Sequence, residues 1–244
     1  MNQSKKIALV SGSTQGIGLA IAKKLQEDGY FVIQNSRSAI SDFNFTGDDH
    51  IVADVSDNKE CVGLINQIES KYGQLDVLVS NVGSGKAANP DLSSVDYWEH
   101  YFSKNFNAAS FLIKAALELL LKSQGNVVAI SSICADNPRI SAPIGYSTAK
   151  AALEMYIQGM AVKNGPLGVR FNVVSPGNVY FEGSVWDQKM QESKEEIEGY
   201  IRNVVPLRKF ILPEDISEAV SFLVSDRAKN VTGVVLKVDG GQSL

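Results

Sequence analysis

Lys6-Ile7-Ala8-Leu9-Val10-Ser11-Gly12-Ser13-Thr14-Gln15-Gly16-Ile17-Gly18 decides the architecture of this chain. Its first half is a continuous apolar run and its second half a glycine-rich turn. Beyond it Ile17, Ala20, Ile21 and Leu25 recur at helical spacing until Gly29. The order is strand, tight loop, helix. A strand with no polar alternation is buried on both faces, which calls for a parallel sheet covered by helices. Glycines at 12, 16 and 18 permit the turn, let the backbone approach a pyrophosphate, and let the helix sit close to the sheet. The helix N-terminus adds amide donors and a partial positive charge. An ordinary turn is the alternative, and the strand-loop-helix context favours a dinucleotide site over it.

The alternation continues outward. Strands are expected at residues 31–35, 51–53, 77–80, 126–131, 169–175 and 234–238, with helices between them, notably over 96–122, 145–164 and 213–225. Asp57 and Glu60 are spaced to open the helix after the third strand as a capping box, and Gly73 to close it. The region between Arg37 and His50 is short and poor in helix signals, so the second crossover helix is expected to be reduced. With 244 residues, 44% of them hydrophobic, and no linker or repeat, the chain reads as one α/β domain. The expected fold is doubly wound and Rossmann-like, with a mostly parallel seven-stranded sheet between two helical layers.

A net charge of −4 provides no general drive toward nucleic acid or anionic membrane. No segment approaches the roughly 18 apolar residues of a membrane span. The apolar run behind the basic residues 1–6 stops at Ser11, short of a signal-peptide core, so a cytoplasmic protein is expected. Cys61 and Cys134 show no pairing pattern and read as reduced packing residues, and with only His50 and His100 present no metal site is expected.

Tyr146-Ser147-Thr148-Ala149-Lys150 carries the chemistry. Residues i and i+4 share a helix face, so phenol and ammonium can address one small volume. A neighbouring cation favours the ionised phenol, and the pair can exchange a proton with a carbonyl or alcohol oxygen. Ser132 lies fourteen residues upstream, just beyond the fifth strand. Gly83-Ser84-Gly85-Lys86 superficially suggests a phosphate-binding P-loop, but Ser80 and Ala87 stand where that motif needs glycine and a hydroxyl residue.

These segments together resemble the short-chain dehydrogenase/reductase family in its single-domain form. The likeness runs from Lys6 to Gly241: the glycine loop with its G-x-x-x-G-x-G spacing, Asn81-Val82-Gly83 after the fourth strand, Ser132, Tyr146-x-x-x-Lys150, Pro176-Gly177, and the tail from Val231-Thr232-Gly233 to Val238-Asp239-Gly240-Gly241. The resemblance implies a nicotinamide dinucleotide held by Gly12 to Gly18, by Ser36 and Arg37, by Asp54 and Val55, by Asn81 to Gly83, by Tyr146 and Lys150, and by Pro176, Gly177 and Val179. Asp54 would meet the adenine, although a helix-capping carboxylate is an almost equal reading.

The end of the second strand, Asn35-Ser36-Arg37, offers no carboxylate for a ribose 2′-hydroxyl. A guanidinium able to grip a 2′-phosphate stands there instead, so NADP(H) is favoured over NAD(H). The basic residue that many NADP-using relatives place before the second loop glycine is Gln15 here.

By the same resemblance Tyr146 is the general acid in reduction and base in oxidation, Lys150 lowers its pKa and holds the nicotinamide ribose, and Ser132 hydrogen-bonds the substrate oxygen. The fourth member is an asparagine of the long helix. Asn105 is preferred to Asn107, which reads as a polar helix residue, and Ser132 to Ser131, which strand alternation turns toward the core. The Ser132 to Tyr146 interval is one residue longer than the usual family spacing, and the intervening loop, with Cys134 near its start, lines the substrate side. Residues 178–205 match the family's substrate loop. There Phe181 and Trp186 are candidate substrate contacts, with packing of the loop onto its own domain as the competing reading.

The expected activity is hydride transfer between nicotinamide and a ketone or secondary alcohol. A 3-oxoacyl carrier-protein reductase is a subtype of that reading, and a non-catalytic NADP-sensing protein a competing class that the presence of Tyr146 and Lys150 disfavours. Family resemblance also implies a homotetramer or dimer built on the long fourth and fifth helices, where Phe106, Phe111, Leu112, Leu119, Leu120 and Leu121 exceed one buried face.

Overall fold

A computed structural model describes residues 5–39, 47–85, 92, 94–137 and 142–244. Seven strands, β1 (Ile7–Ser11), β2 (Phe31–Ser36), β3 (Asp49–Val52), β4 (Val77–Ser80), β5 (Asn126–Ile130), β6 (Arg170–Pro176) and β7 (Val235–Val238), form one sheet in the order β3-β2-β1-β4-β5-β6-β7. Every neighbouring pair is parallel. The chain runs outward from β1 to β3, returns to place β4 on the other side of β1, and then continues to β7. The reversal opens a crevice at the carboxyl ends of β1 and β4, where doubly wound sheets bind ligands.

Side-chain alternation in β1 assigns each face its own core. Ile7 and Leu9 pack with α2 (Asn58–Tyr72), α4 (Ala108–Ser123) and α5 (Ile144–Asn164). Ala8 and Val10 pack on the other face with α1 (Gly16–Glu27) and α7 (Pro213–Val224). Burial on both faces is the reason these strands read as unbroken apolar runs.

Three details depart from the sequence pattern. The third strand begins at Asp49, two residues before the apolar signal, because this edge strand needs only backbone pairing with β2 over its polar start. The 96–122 pattern is not one helix. α3 (Val95–Phe102) passes through a π-helical turn, Ser103–Asn107, before α4. The capping box at α2 forms only in half: Asp57 accepts from the backbone N–H of Lys59 and Glu60, whereas the Glu60 carboxylate turns to the N–H of Asp54, 2.6 Å away. Gly73 ends α2 with φ 66°, as its position predicts. The proposed reduced crossover falls mainly on residues 40–46, and Lys86 and Ala87 of the P-loop lookalike also lie outside the described residues.

The 178–205 segment is largely helical. α6 (Val185–Val204) occupies most of it, broken at Ser193, where φ is −150°. Its entrance is tied to the body by a parallel bridge between Val179 and Ile211.

Candidate active site

The loops that follow β1 to β6 bring the sequence candidates to the carboxyl ends of the strands. In the first of them Gly12 and Gly16 adopt φ of 61° and 52°, a region that disfavours any side chain. A Cβ at Gly18 would overlap the Gly12 carbonyl oxygen and lie 2.5 Å from Asn81 Nδ2. Asn81 needs that approach, since its amide donates to the carbonyls of Ser11 (3.2 Å) and Gly12 (3.0 Å) and so locks the β4 loop to the glycine loop. Gln15, preceding α1, makes no side-chain cap, and the first turn presents its amides without a competing acceptor from that residue. These features fit a dinucleotide pyrophosphate.

Several candidates serve the framework with their side chains. The Ser13 hydroxyl is fully buried and accepts from the Asn35 N–H at 3.1 Å. Val55 and Val179 are buried in the two cores. Gly177 donates to the Val238 carbonyl, and a Cβ there would come within 2.8 Å of the Asp239 side chain. The loop from Pro176 thus packs tightly on the C-terminal strand. The Phe181 ring lies over Gly16, with ring carbons 2.5 to 3.0 Å from where a Cβ would stand. Trp186 stacks on Tyr200 at 5.7 Å and 17° and also contacts Phe210, so its ring packs within α6 and against the loop that follows it.

At the end of β2, Arg37 is exposed and Ser36 half-buried. Asp54 is influenced by both Arg37 and Lys104. Burial pushes its carboxyl up, but hydrogen bonds from the Ser56 side chain and backbone and these two cations outweigh it and hold it below the usual range. Its carboxylate binds Ser56 rather than capping α2, which Asp57 does.

The reaction centre is assembled from α5, the π-turn and the ends of β4 and β5. Tyr97 accepts from the Gly145 N–H at 3.1 Å and seats the start of α5. Lys150, one turn further on, is buried and donates to the Ile130 carbonyl at 2.8 Å. Its Nζ is 6.0 Å from the centroid of the Tyr146 ring. Burial raises the Tyr146 pKa to about 12, opposed by a hydrogen bond from Ser132. Burial lowers that of Lys150 to about 8, opposed by the Glu154 carboxylate. In this structure the ammonium is turned onto Ile130, and Ser132 is the group that favours the phenolate.

Asn105 sits in the π-turn, nearly inaccessible. Its Oδ1 accepts from the Ser84 N–H (2.9 Å) and its Nδ2 donates to the carbonyls of Ser84 (3.1 Å) and Tyr101 (2.9 Å). The π-turn that carries Asn105 is a local irregularity often found at functional sites. Asn107 is half-exposed, outside this network. Asn105 and Lys150 close on Gly83, where a Cβ would be 2.9 Å from Oδ1 and 2.8 Å from Nζ.

Ser132 accepts from the Cys134 N–H at 3.3 Å, and Cys134 is near enough to raise the Tyr146 pKa slightly. Residues 138–141 of the following loop lie outside the described residues. Sequence reasoning missed Glu154, although its i+4 spacing from Lys150 is a legible signal. It also missed Gly85, whose Cβ position lies 3.6 Å from the Tyr146 ring.

Residues 12–243 match the family model described as enoyl-(acyl carrier protein) reductase. The chain is 33% identical to glucose 1-dehydrogenase 2 of Bacillus subtilis, covering 98% of this chain and 95% of that one. It is 32% identical to the 3-oxoacyl-[acyl-carrier-protein] reductase FabG of Haemophilus influenzae, covering 97% of each. Among solved structures, Pseudomonas aeruginosa RhlG in an NADP active-site complex is similar with a TM-score of 0.87 at 26% identity, over 98% of this chain and 96% of that one. Thermoplasma acidophilum aldohexose dehydrogenase is similar with a TM-score of 0.86 at 28% identity, over 98% and 94%.

Proposed function

The chain belongs to the short-chain dehydrogenase/reductase family of oxidoreductases, and on that premise we propose that it reduces a ketone to a secondary alcohol with NADPH, reversibly. The bound nicotinamide supplies the hydride. Tyr146 gives its phenolic proton to the carbonyl oxygen, and Ser132 steadies that oxygen as charge develops. Lys150 and Asn105 hold the adjoining loop at Gly83 and supply a cation below the phenol.

The observation that carries the reading is the convergence of Lys150 and Asn105 on Gly83 with the Tyr146 ring beside Gly85, and reduction is the direction that NADPH as cofactor would drive. NADP(H) over NAD(H) rests on Arg37, exposed at the end of β2 with no carboxylate among Asn35, Ser36 and Arg37. A location in the cytoplasm fits the two free cysteines; among the described residues no helix is long and apolar enough to cross a membrane. Self-association as a dimer or tetramer fits the outer face of α5, where Ile144, Met155 and Val162 are 52%, 69% and 81% exposed. Gel filtration at the monomer mass would remove that part of the reading.

The relatives divide the substrate question into oxidised sugars and 3-oxoacyl thioesters. NADPH oxidation against a panel of both, with simple ketones added, tests the activity, and Tyr146→Phe serves as its control. Turnover with one class, lost by at least about a thousandfold in the variant with NADPH affinity kept within a few fold, is expected. Wild-type rates in the variant, or no turnover across the panel while NADPH binds, would favour a nucleotide-sensing protein instead.

A further inference from the structure

At the end of β2 a hydrogen-bonded chain runs across to β3. Ser36 Oγ is 2.7 Å from the Ser38 carbonyl oxygen and 2.8 Å from His50 Nε2. The strand register places Gln34 opposite His50 and Ser36 opposite Val52, so the imidazole lies diagonally beneath Ser36. A carbonyl has no proton to give, so the Ser36 proton points to Ser38, and the Nε2–H of His50 must be the donor to Ser36 Oγ. Ser36 is left with one open lone pair. In that state it can accept a ribose 2′-hydroxyl but has no proton directed at a 2′-phosphate. If the Ser36 proton turns from Ser38 to a phosphate oxygen, Nε2–H keeps the hydroxyl anchored.

From this geometry we propose that His50 is a specificity-determining residue for the dinucleotide, taking up a proton when a 2′-phosphate docks between Ser36 and Arg37 and so favouring NADP(H) over NAD(H) increasingly below neutral pH. The inference rests on the reading that the dinucleotide ribose lies at the end of β2. Burial lowers the His50 pKa and the Asp49 carboxylate raises it, leaving the ring neutral above its depressed pKa. Among the described residues the charged and titratable groups near it are Asp49 beside it on β3, Asp48, whose carboxylate accepts from the Val32 N–H, and Lys71 and Tyr72 on α2, which both bind Asp49. Asp49 is thereby partly engaged, and an arriving phosphate dianion is the stronger inducement for the ring to charge. An imidazolium about 6 Å from a phosphate charge, at an effective dielectric of about 40, corresponds to roughly tenfold in affinity.

The test is calorimetric binding of NADPH and NADH to the full chain between pH 5.5 and 8.5, for the wild type, His50→Gln and His50→Ala. Glutamine keeps a donor for Ser36 but cannot gain a charge. In the wild type the ratio of the NADH to the NADPH dissociation constant should rise severalfold on acidification from pH 8 to pH 6, toward a limit of roughly tenfold. In His50→Gln it should stay flat or fall, since the 2′-phosphate itself takes up a proton near pH 6. NADPH binding at pH 6.5 should take up protons from the buffer by a larger amount in the wild type than in either variant. A wild-type ratio that follows His50→Gln across the range overturns the proposal while leaving the dinucleotide site intact. Failure of both dinucleotides to bind overturns the cofactor reading and this inference with it.

Discussion

Lys150 donates to the backbone carbonyl of Ile130 across 2.8 Å, tying the middle of the reaction centre to the last residue of β5. That bond fixes the ammonium in a buried site, where desolvation lowers its pKa to about 8. Glu154, one helical turn further along α5, works against the lowering. Its own carboxyl is pushed upward by burial, partly offset by the nearby Ser131 and Ser175 hydroxyls. Replacing Glu154 by Gln removes the nearby negative charge and favours neutral Lys150. The alkaline fall of kcat/KM for reduction should then begin below pH 8, about one unit lower than in the wild type. A pH profile superimposable on the wild type would show that Glu154 does not set the charge of Lys150.

Gly83→Ala tests whether Lys150 and Asn105 hold the positions described. The added methyl would meet Lys150 Nζ at 2.8 Å and Asn105 Oδ1 at 2.9 Å. Neither can yield freely, because Lys150 is bonded to Ile130 and Asn105 to Ser84 and Tyr101. Overpacking of this kind costs about 1 to 3 kcal/mol, and displacement of the reacting groups lowers turnover by about a hundredfold. Thermal unfolding and initial rates read the two effects separately. Full activity in a stable Gly83→Ala protein would contradict the arrangement.

Asn105 and Asn107 separate in a paired substitution. Asn105→Ala removes three hydrogen bonds made by a nearly inaccessible side chain, to the Ser84 N–H, the Ser84 carbonyl and the Tyr101 carbonyl, which costs about 1 to 3 kcal/mol. The loop carrying Gly83 loses its anchor at the same time, so kcat should fall by at least about tenfold. Asn107→Ala, at a half-exposed position, should remain within about 0.5 kcal/mol and near full rate. Equal effects from the two, measured by denaturant unfolding and steady-state rates, would remove the distinction.

The fold was legible because its instructions are local. Continuous apolar strands, the glycine spacing after β1 and the Gly73 helix stop each act within a few residues. The π-turn at Ser103–Asn107 was not, since the apolar pattern passes through it unbroken and the Asn105 bonds to Ser84 and Tyr101 that accompany it are tertiary or one turn away. Likewise the Asp57 and Glu60 spacing is right for a reciprocal box, but the Asp54 N–H competes for the carboxylate. The chemistry-bearing residue types were readable from spacing and resemblance. What each side chain touches was less so, as Phe181 shows: aromatic identity suggests a lid, and only the three-dimensional path of the segment after β6 carries the ring to Gly16.

That ring makes the last prediction. Gly16 is the second glycine of the loop, the one whose bare Cα lets backbone approach a pyrophosphate, and Phe181 lies against it on the side a Cβ would occupy. A dinucleotide docking on the loop therefore competes with an apolar contact that also packs against the α1 and α7 core. Breaking a partly buried aromatic contact costs about 1 kcal/mol, which sets the scale of the barrier added to binding. Phe181→Ala should raise the association rate of NADPH by about three- to tenfold and lower its KM, as read by stopped-flow fluorescence. Slower association in the variant would mean instead that the ring closes over the bound cofactor and holds it in place.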